Sequence, residues 1–365
     1  MIFDVTIIGG GPAGAAAAIT AARSGARVLL LERGRFPRHK VCGEFISAEG
    51  VVLLGQLGLM DLLCSAGRVA WARIFAAGSI AQFPLAPPAA PISRYKLDHA
   101  LWLCAVAAGA LCREQVAVRA ITGRTPFVIN TSSDVIIARS VINASGRWSS
   151  LRRTALLQRT PKQWIGWKQH FRQPGPSGSV DLYFFPEGYC GVQPLGGGQL
   201  NACAMVRAHR AASLDDVFDL HAALRERSLG WEPVSDSVST SPLVFAPPEA
   251  EEGGVLFAGD AAGFIDPFVG DGISLALRSG VMAAQALVSF WRGEKTLTEA
   301  IAGYRAEYER DLHPVFRNSR WLRRLTAVPR PLHKPLMAAL GVPGVMPYLI
   351  SRTRPPSIGQ AAEIG

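Results

Sequence analysis

The 365-residue sequence has no run of eighteen or more consecutive apolar residues, so no segment reads as a transmembrane helix. A basic leader is missing as well. Asp4 stands where one would be needed, and the first apolar run passes straight into glycines, which argues against a secretory signal. The six cysteines (Cys42, Cys64, Cys104, Cys112, Cys190 and Cys203) include no CxxC pair and no His/Cys cluster at metal-ligand spacing. Reduced thiols in a cytoplasmic protein are therefore expected, with neither a disulfide framework nor a zinc site. Acidic residues are absent between Asp311 and Glu363, an interval that carries Arg317, Arg320, Arg323, Arg324, Arg330, Lys334, Arg352 and Arg354. Much of the formal net charge of +10 thus belongs to the C-terminal part of the chain. No nucleic-acid-binding motif accompanies that charge, so nucleic acid is not an expected partner.

What the chain does have is apolar material, 49% of its residues, enough for a sizeable core and for two or three packing units. In the basic C-terminal interval the cations alternate with Trp321, Leu322, Leu325, Leu336, Met337 and Leu340. Two readings stand side by side. One is an amphipathic helical flap in peripheral contact with an anionic membrane surface, and the other is a solvated helix face with ordinary core contacts.

The N-terminus carries the most informative local pattern. A β-rich run from Phe3 to Ile8 leads into Gly9-Gly10-Gly11-Pro12-Ala13-Gly14, then an alanine-rich helical stretch, then a second strand over 27–31 that ends at Glu32. Gly9 permits a tight turn, Gly11 lets the backbone approach a pyrophosphate, and Gly14 lets the helix pack closely on the strand. The helix start, with Pro12 and Ala13, offers unpaired N–H groups to phosphate. Glu32, with Arg33 after it, is placed to accept from ribose hydroxyls. The pattern identifies a bound ADP group without separating FAD from NAD.

A second segment lies far downstream. The buried-strand run 255–258 is followed by Gly259-Asp260, then Asp266-Pro267, then Gly270-Asp271-Gly272-Ile273 and a long helical pattern from Ser274 to Phe290. An acid just past a strand end can accept from ribityl hydroxyls. A helix opened by Gly270 and Gly272 can face a ring on which negative charge develops.

Together, residues 259–280 resemble the second FAD motif of flavoproteins with the para-hydroxybenzoate hydroxylase fold. The resemblance implies an α/β fold: a discontinuous Rossmann-like FAD-binding domain (1–68, 93–158 and 235–300) with an inserted antiparallel-sheet substrate domain (69–92 and 159–234). A helical basic C-terminal segment (301–365) would follow. It further implies that Arg94, opening the Arg94-Tyr95-Lys96-Leu97-Asp98 helix start, contacts the cofactor, and that Val116 lies by the adenine. Without the resemblance, Arg94 reads as an exposed helix-start arginine.

Within that superfamily, Lys40-Val41-Cys42-Gly43-Glu44 is similar to the Cys-Gly-acid segment of geranylgeranyl reductases, and Tyr183–Tyr189 partly resembles their aromatic-x-Phe-Pro segment. By that resemblance Cys42 and Glu44 are the candidate catalytic pair, because reducing an alkene needs a proton beside a hydride and a free thiol can donate one. Packing of Cys42 as a small hydrophobe, and a solvated Glu44, are the competing readings. The implied activity is reduction of carbon–carbon double bonds in a hydrophobic small molecule. A monooxygenase that hydroxylates or epoxidises through a flavin hydroperoxide is the alternative, although Ser145 replaces the aspartate of its usual Asp-Gly pair. A flavin halogenase fits less well, since Trp164-Ile165-Gly166-Trp167-Lys168 has the wrong spacing. A non-catalytic, membrane-associated flavin-binding protein is a further alternative. No second glycine fingerprint follows a strand, so NAD(P)H or another donor is expected to bind only transiently.

Overall fold

Val28–Leu31 is apolar at every position and Ile2–Ile8 nearly so, the pattern of strands covered on both faces. They pair in parallel, and Val135–Asn143 adds to the other side, so that Ile8 lies between Leu31 and Asn143 at one end of the sheet. Outward from these run Val255–Phe257 and Glu251–Glu252 on one flank and Leu111–Arg113 on the other, while the Val118–Gly123/Phe127–Thr131 hairpin joins Val135–Asn143. This eight-stranded sheet is the Rossmann-like unit. In the computed structural model the described residues are 1–147, 151, 163–173, 178–325, 333–340, 342 and 344–355.

Two glycines set how closely the helices approach that sheet and each other. A Cβ on Gly14 would lie 1.7 Å from the carbonyl oxygen of Gly9, so the first helix (Pro12–Arg23) touches the turn that precedes it. A Cβ on Gly280 would lie 2.1 Å from the carbonyl oxygen of Ala13, so the long helix Gly272–Trp291 crosses the first one backbone to backbone. By length and composition the long helix could cross a membrane, but most of its apolar window is buried in the protein core.

The second sheet has nine strands. Trp164–Arg172, Gln199–Arg207, Gly188–Gly196 and Ser179–Phe185 pair antiparallel in that spatial order, and Val69–Ala76 and Ser79–Pro91 extend it. Ser179–Phe185 shows strict alternation of burial. Tyr183 and Phe185 pack into one core, while Val180, Leu182 and Phe184 face a cavity between the two sheets. Two expected boundaries move. Val238–Leu243 pairs with Trp164–Arg172, so the inserted sheet extends beyond residue 234. Leu297–Asp311 is part of the nucleotide-binding core rather than a C-terminal appendage: Tyr304 is fully buried there and donates its hydroxyl to the carbonyl of Phe257 at 2.6 Å. The boundary at 158/159 lies outside the described residues.

The remaining C-terminal helices, His313–Leu325, His333–Leu340 and Val345–Ser351, fold back over the molecule. Met337 is buried against Ala72, Ile74, Ala81 and Phe83, with Leu340, Met346 and Ile350 beside it. The solvated-face reading, with ordinary core contacts, fits what is seen. One face is ordinary core, and Trp321, Val342 and Tyr348 are exposed. Arg330 and the side chains of Arg324, Leu325, Lys334 and Leu336 lie outside the described residues.

Candidate active site

A cavity of about 2040 Å³ runs between the sheets. Its nucleotide end is built from the first glycine turn. Gly9 has φ 103°, and the strand before it delivers its backbone beside Glu32. The Glu32 carboxylate accepts from Gly10 N–H at 3.0 Å and Gly34 N–H at 2.8 Å and pairs with Arg38 at 2.8 Å. Burial would raise its pKa, but the Arg38 charge and the Gly34 and Gly10 amides hold it below the usual value, so it is an anion aimed along the cavity. Arg33 and the buried Val116 line the same end.

Arg94 is not exposed as its helix-start position alone suggests. Its guanidinium makes a two-bond pair with Asp98 at 2.6 and 2.7 Å and lies 3.8 Å from where a Cβ on Gly11 would be. Burial, and then the charges of Arg38 and Arg94, push the Lys40 pKa down to about 8. Three cations crowded beside a glycine turn that leaves room for backbone approach fit a diphosphate, the group FAD would place there. On the opposite wall Gly259 (φ 62°) and Asp260 follow the Val255–Phe257 strand. Pro267 and Gly270 (φ 72°) then turn the chain into the long helix, whose first residues Gly272 and Ile273 face the cavity. Of the residues singled out for the cofactor, all but Gly14 line the cavity. Gly14 acts instead by admitting the helix to the turn.

Between the nucleotide end and the apolar end lies the segment Cys42-Gly43-Glu44. Glu44 is not a solvated loop acid. It is fully buried at φ 60°, a left-handed conformation that non-glycine residues rarely hold without support. Its Oε1 accepts from Lys168 Nζ at 2.6 Å and from the backbone N–H of Arg94 at 2.7 Å, and its Oε2 contacts His170 Nε2 at 2.6 Å. Its own N–H donates to Cys42 Sγ at 3.3 Å. Asn201 Nδ2 donates to the carbonyls of Cys42 (3.0 Å) and Gly43 (2.9 Å). Burial pushes the Cys42 thiol up from its ordinary pKa against the pull of Arg94, so it carries its proton at neutral pH.

Lys168, His170 and Asn201 were not singled out from sequence. Lys168 and His170 share one face of the Trp164–Arg172 strand with Gly166. That face reads as the polar outer one until the cysteine loop is seen to cover it. A lysine and a histidine two apart beside aromatics is the only signal available, and it does not name a partner. The acids of the second motif also gain unexpected partners. Arg323 lies 3.4 Å from Asp266 and Arg354 2.8 Å from Asp271, which places two C-terminal arginines against the turn that leads into the long helix.

Comparison with known proteins adds to this geometry. A family profile for FAD dependent oxidoreductases matches residues 4–38. The chain is 30% identical over 338 residues to digeranylgeranylglycerophospholipid reductase 2 of Methanopyrus kandleri, with 87% of this chain and 85% of that protein covered. It belongs to the geranylgeranyl reductase family of FAD-dependent oxidoreductases. It is also 28% identical to a menaquinone reductase of Mycolicibacterium smegmatis, over 78% of this chain and 76% of that one. A geranylgeranyl bacteriochlorophyll reductase-like protein of Thermoplasma acidophilum shares its fold with a TM-score of 0.76 at 21% identity, covering 96% of this chain and 95% of that one. A flavin-dependent brominase superposes as well, with a TM-score of 0.79 at 18% identity over 97% and 93% of the two chains. The architecture is therefore shared by members of different chemistry, and membership of the reductase family rests on sequence. Like other members, the chain is an FAD-dependent enzyme that acts on a hydrophobic substrate.

Proposed function

We propose that the protein saturates carbon–carbon double bonds in an isoprenoid chain carried by a lipid, with Cys42 as the proton donor. The observation that carries the reading is a half-buried cysteine on the wall of a cavity that joins an FAD cradle to an apolar chamber, with desolvation raising its thiol pKa and so favouring the protonated form. Reducing an isolated alkene takes a hydride on one carbon and a proton on its neighbour, and FAD in its reduced state supplies the hydride. The chain's own part is to keep water out, to hold the alkene by apolar contact, and to present the proton at Cys42 Sγ. Ala72, Ile74, Phe83, Leu182 and Met337 furnish such contact without a charge among them. The names of the reductases it matches support an isoprenoid substrate.

Two further parts of this reading concern partners. Electrons arrive from NAD(P)H or another donor that binds transiently. The substrate is taken from a membrane surface against which the basic C-terminal helices rest, Trp321 and Tyr348 pointing outward among Arg317, Arg320 and Arg352.

The reading is tested by reducing the FAD-loaded protein anaerobically, adding menaquinone or a geranylgeranylated glycerophospholipid in micelles, and following flavin reoxidation together with product mass. A gain of two hydrogens located in the isoprenoid chain, and retained after any quinol is reoxidised to quinone, supports it. A product that gains an oxygen atom only when air is admitted would replace it with the monooxygenase. Cys42→Ser should retain FAD and lose about 10²–10⁴-fold in the rate of alkene reduction, the usual range for a positioned general acid.

A further inference from the structure

Five polar contacts converge on three consecutive residues, and four of them come from the other domain. Lys168 and His170, on the Trp164–Arg172 strand, hold the two carboxylate oxygens of Glu44, and Asn201, on the neighbouring Gln199–Arg207 strand, takes the carbonyls of Cys42 and Gly43. The fifth, from the Arg94 amide, comes from the start of a helix in the nucleotide-binding domain. All four side chains are buried. The arrangement is costly to build. A carboxylate and an ammonium are both removed from water, and a non-glycine residue is kept in a left-handed conformation. Packing alone does not require it, since apolar side chains of similar volume fill such a space at no greater cost. What it provides is one fixed geometry for the peptide that carries Cys42, whose two carbonyl groups are held by Asn201 and whose Sγ accepts from the amide of Glu44.

We propose that Lys168 and His170 are positioning residues which, through Glu44 and with Asn201, clamp the Cys42–Glu44 segment to the inserted sheet and hold the thiol at one place on the cavity wall. The inference rests on the reading of Cys42 as proton donor for its purpose, though not for its test. His39 completes the surroundings, with Nδ1 3.4 Å from Lys168 Nζ and its ring edge-on to His170 at 5.0 Å between centroids. Neutral His39 accepts from the ammonium there, since burial, Lys168 and His170 all lower its pKa.

The test reads the thiol directly. In FAD-loaded protein, the alkylation rate of each cysteine by iodoacetamide is followed by peptide mass spectrometry between pH 6.5 and 9 (an interval that brackets the ordinary thiol pKa of about 8.5). Lys168→Met and His170→Ala should each speed alkylation of Cys42 by about tenfold or more, the factor expected for a buried pair left with one member. Cys190, on a strand of the same sheet, and Cys112, on the edge strand Leu111–Arg113 of the other, should remain at the wild-type rate. His170→Gln, which keeps an N–H donor to Glu44, should stay within about twofold of wild type, because the carboxylate oxygen is not left unsatisfied. Asn201→Ala reads the same loop should Lys168→Met fail to retain FAD. Unchanged Cys42 rates in His170→Ala and Asn201→Ala would overturn the clamp, as would an equal rise at all three cysteines, which marks general loosening. None of these outcomes depends on turnover. A Cys42→Ser enzyme that reduces alkenes at full rate would end the proton-donor reading while leaving the clamp standing.

Discussion

Glu44 gathers a lysine, a histidine and a backbone amide on one fully buried carboxylate. Burial acts to raise its pKa, but the hydrogen bond from His170 and the charge of Lys168 hold it below the ordinary value of 4.5. The sign of the consequence follows from that depression. A carboxyl with a lowered folded pKa contributes stability that is present above about 4.5 and is lost as the pH falls through its folded value. Glu44→Gln removes this dependence and leaves Lys168 buried without its anion, which costs about 3–5 kcal/mol at neutral pH. Urea unfolding of both proteins at pH 7 and near pH 4 should therefore show a large gap that narrows on acidification. Parallel losses in the two would mean that the carboxylate is not what Lys168 stabilises.

At the scale of elements, the molecule depends on helices placed in backbone contact. The first helix and the long one cross at Gly280, where a methyl group would meet the carbonyl oxygen of Ala13. Gly280→Ala should lower stability by about 1–3 kcal/mol, the range for overpacking a filled interior, and should weaken FAD binding because Ala13 lines the nucleotide end. Thermal melts with and without added FAD would check both; an unchanged melting temperature would mean that the helices separate freely. Such contacts explain what the sequence revealed. Gly9, Gly14 and Gly270 are dictated by their own turns, where positive φ or missing side-chain volume is a local demand that any reader of the chain can see. Lys168 and His170 meet Glu44 across separations of 124 and 126 residues, and nothing near either strand or loop announces the pairing. Arg354 reaching Asp271 is the same case. Charge in the C-terminal interval was plain from composition, whereas its destination depended on how three helices turn back over the cavity.

For the whole molecule, the C-terminal helices have two surfaces of different character. Met337, Leu340, Met346 and Ile350 close one end of the cavity, and the outward surface carries Trp321, Val342 and Tyr348 with arginines and no acid among them. On the proposed membrane contact, such a surface would bind anionic bilayers through a sum of small contributions, about 1 kcal/mol for each basic residue near the lipid. Cosedimentation with vesicles containing anionic phospholipid should therefore exceed that with zwitterionic vesicles and fall with added salt. Trp321→Ala together with Arg320→Gln should reduce it by about tenfold or more. Equal sedimentation with both vesicle types would remove the membrane from the account.

Phe45 follows Glu44 directly, and its ring packs against Gly270, where a Cβ would lie 3.1 Å away. The peptide that carries the thiol and the turn that opens the long helix are therefore neighbours. Thermodynamic reciprocity applies to any two sites so joined. Whatever free energy the cofactor gains from an ordered cysteine peptide, that peptide gains from the cofactor, so FAD binding and order at Cys42 should strengthen each other by the same factor.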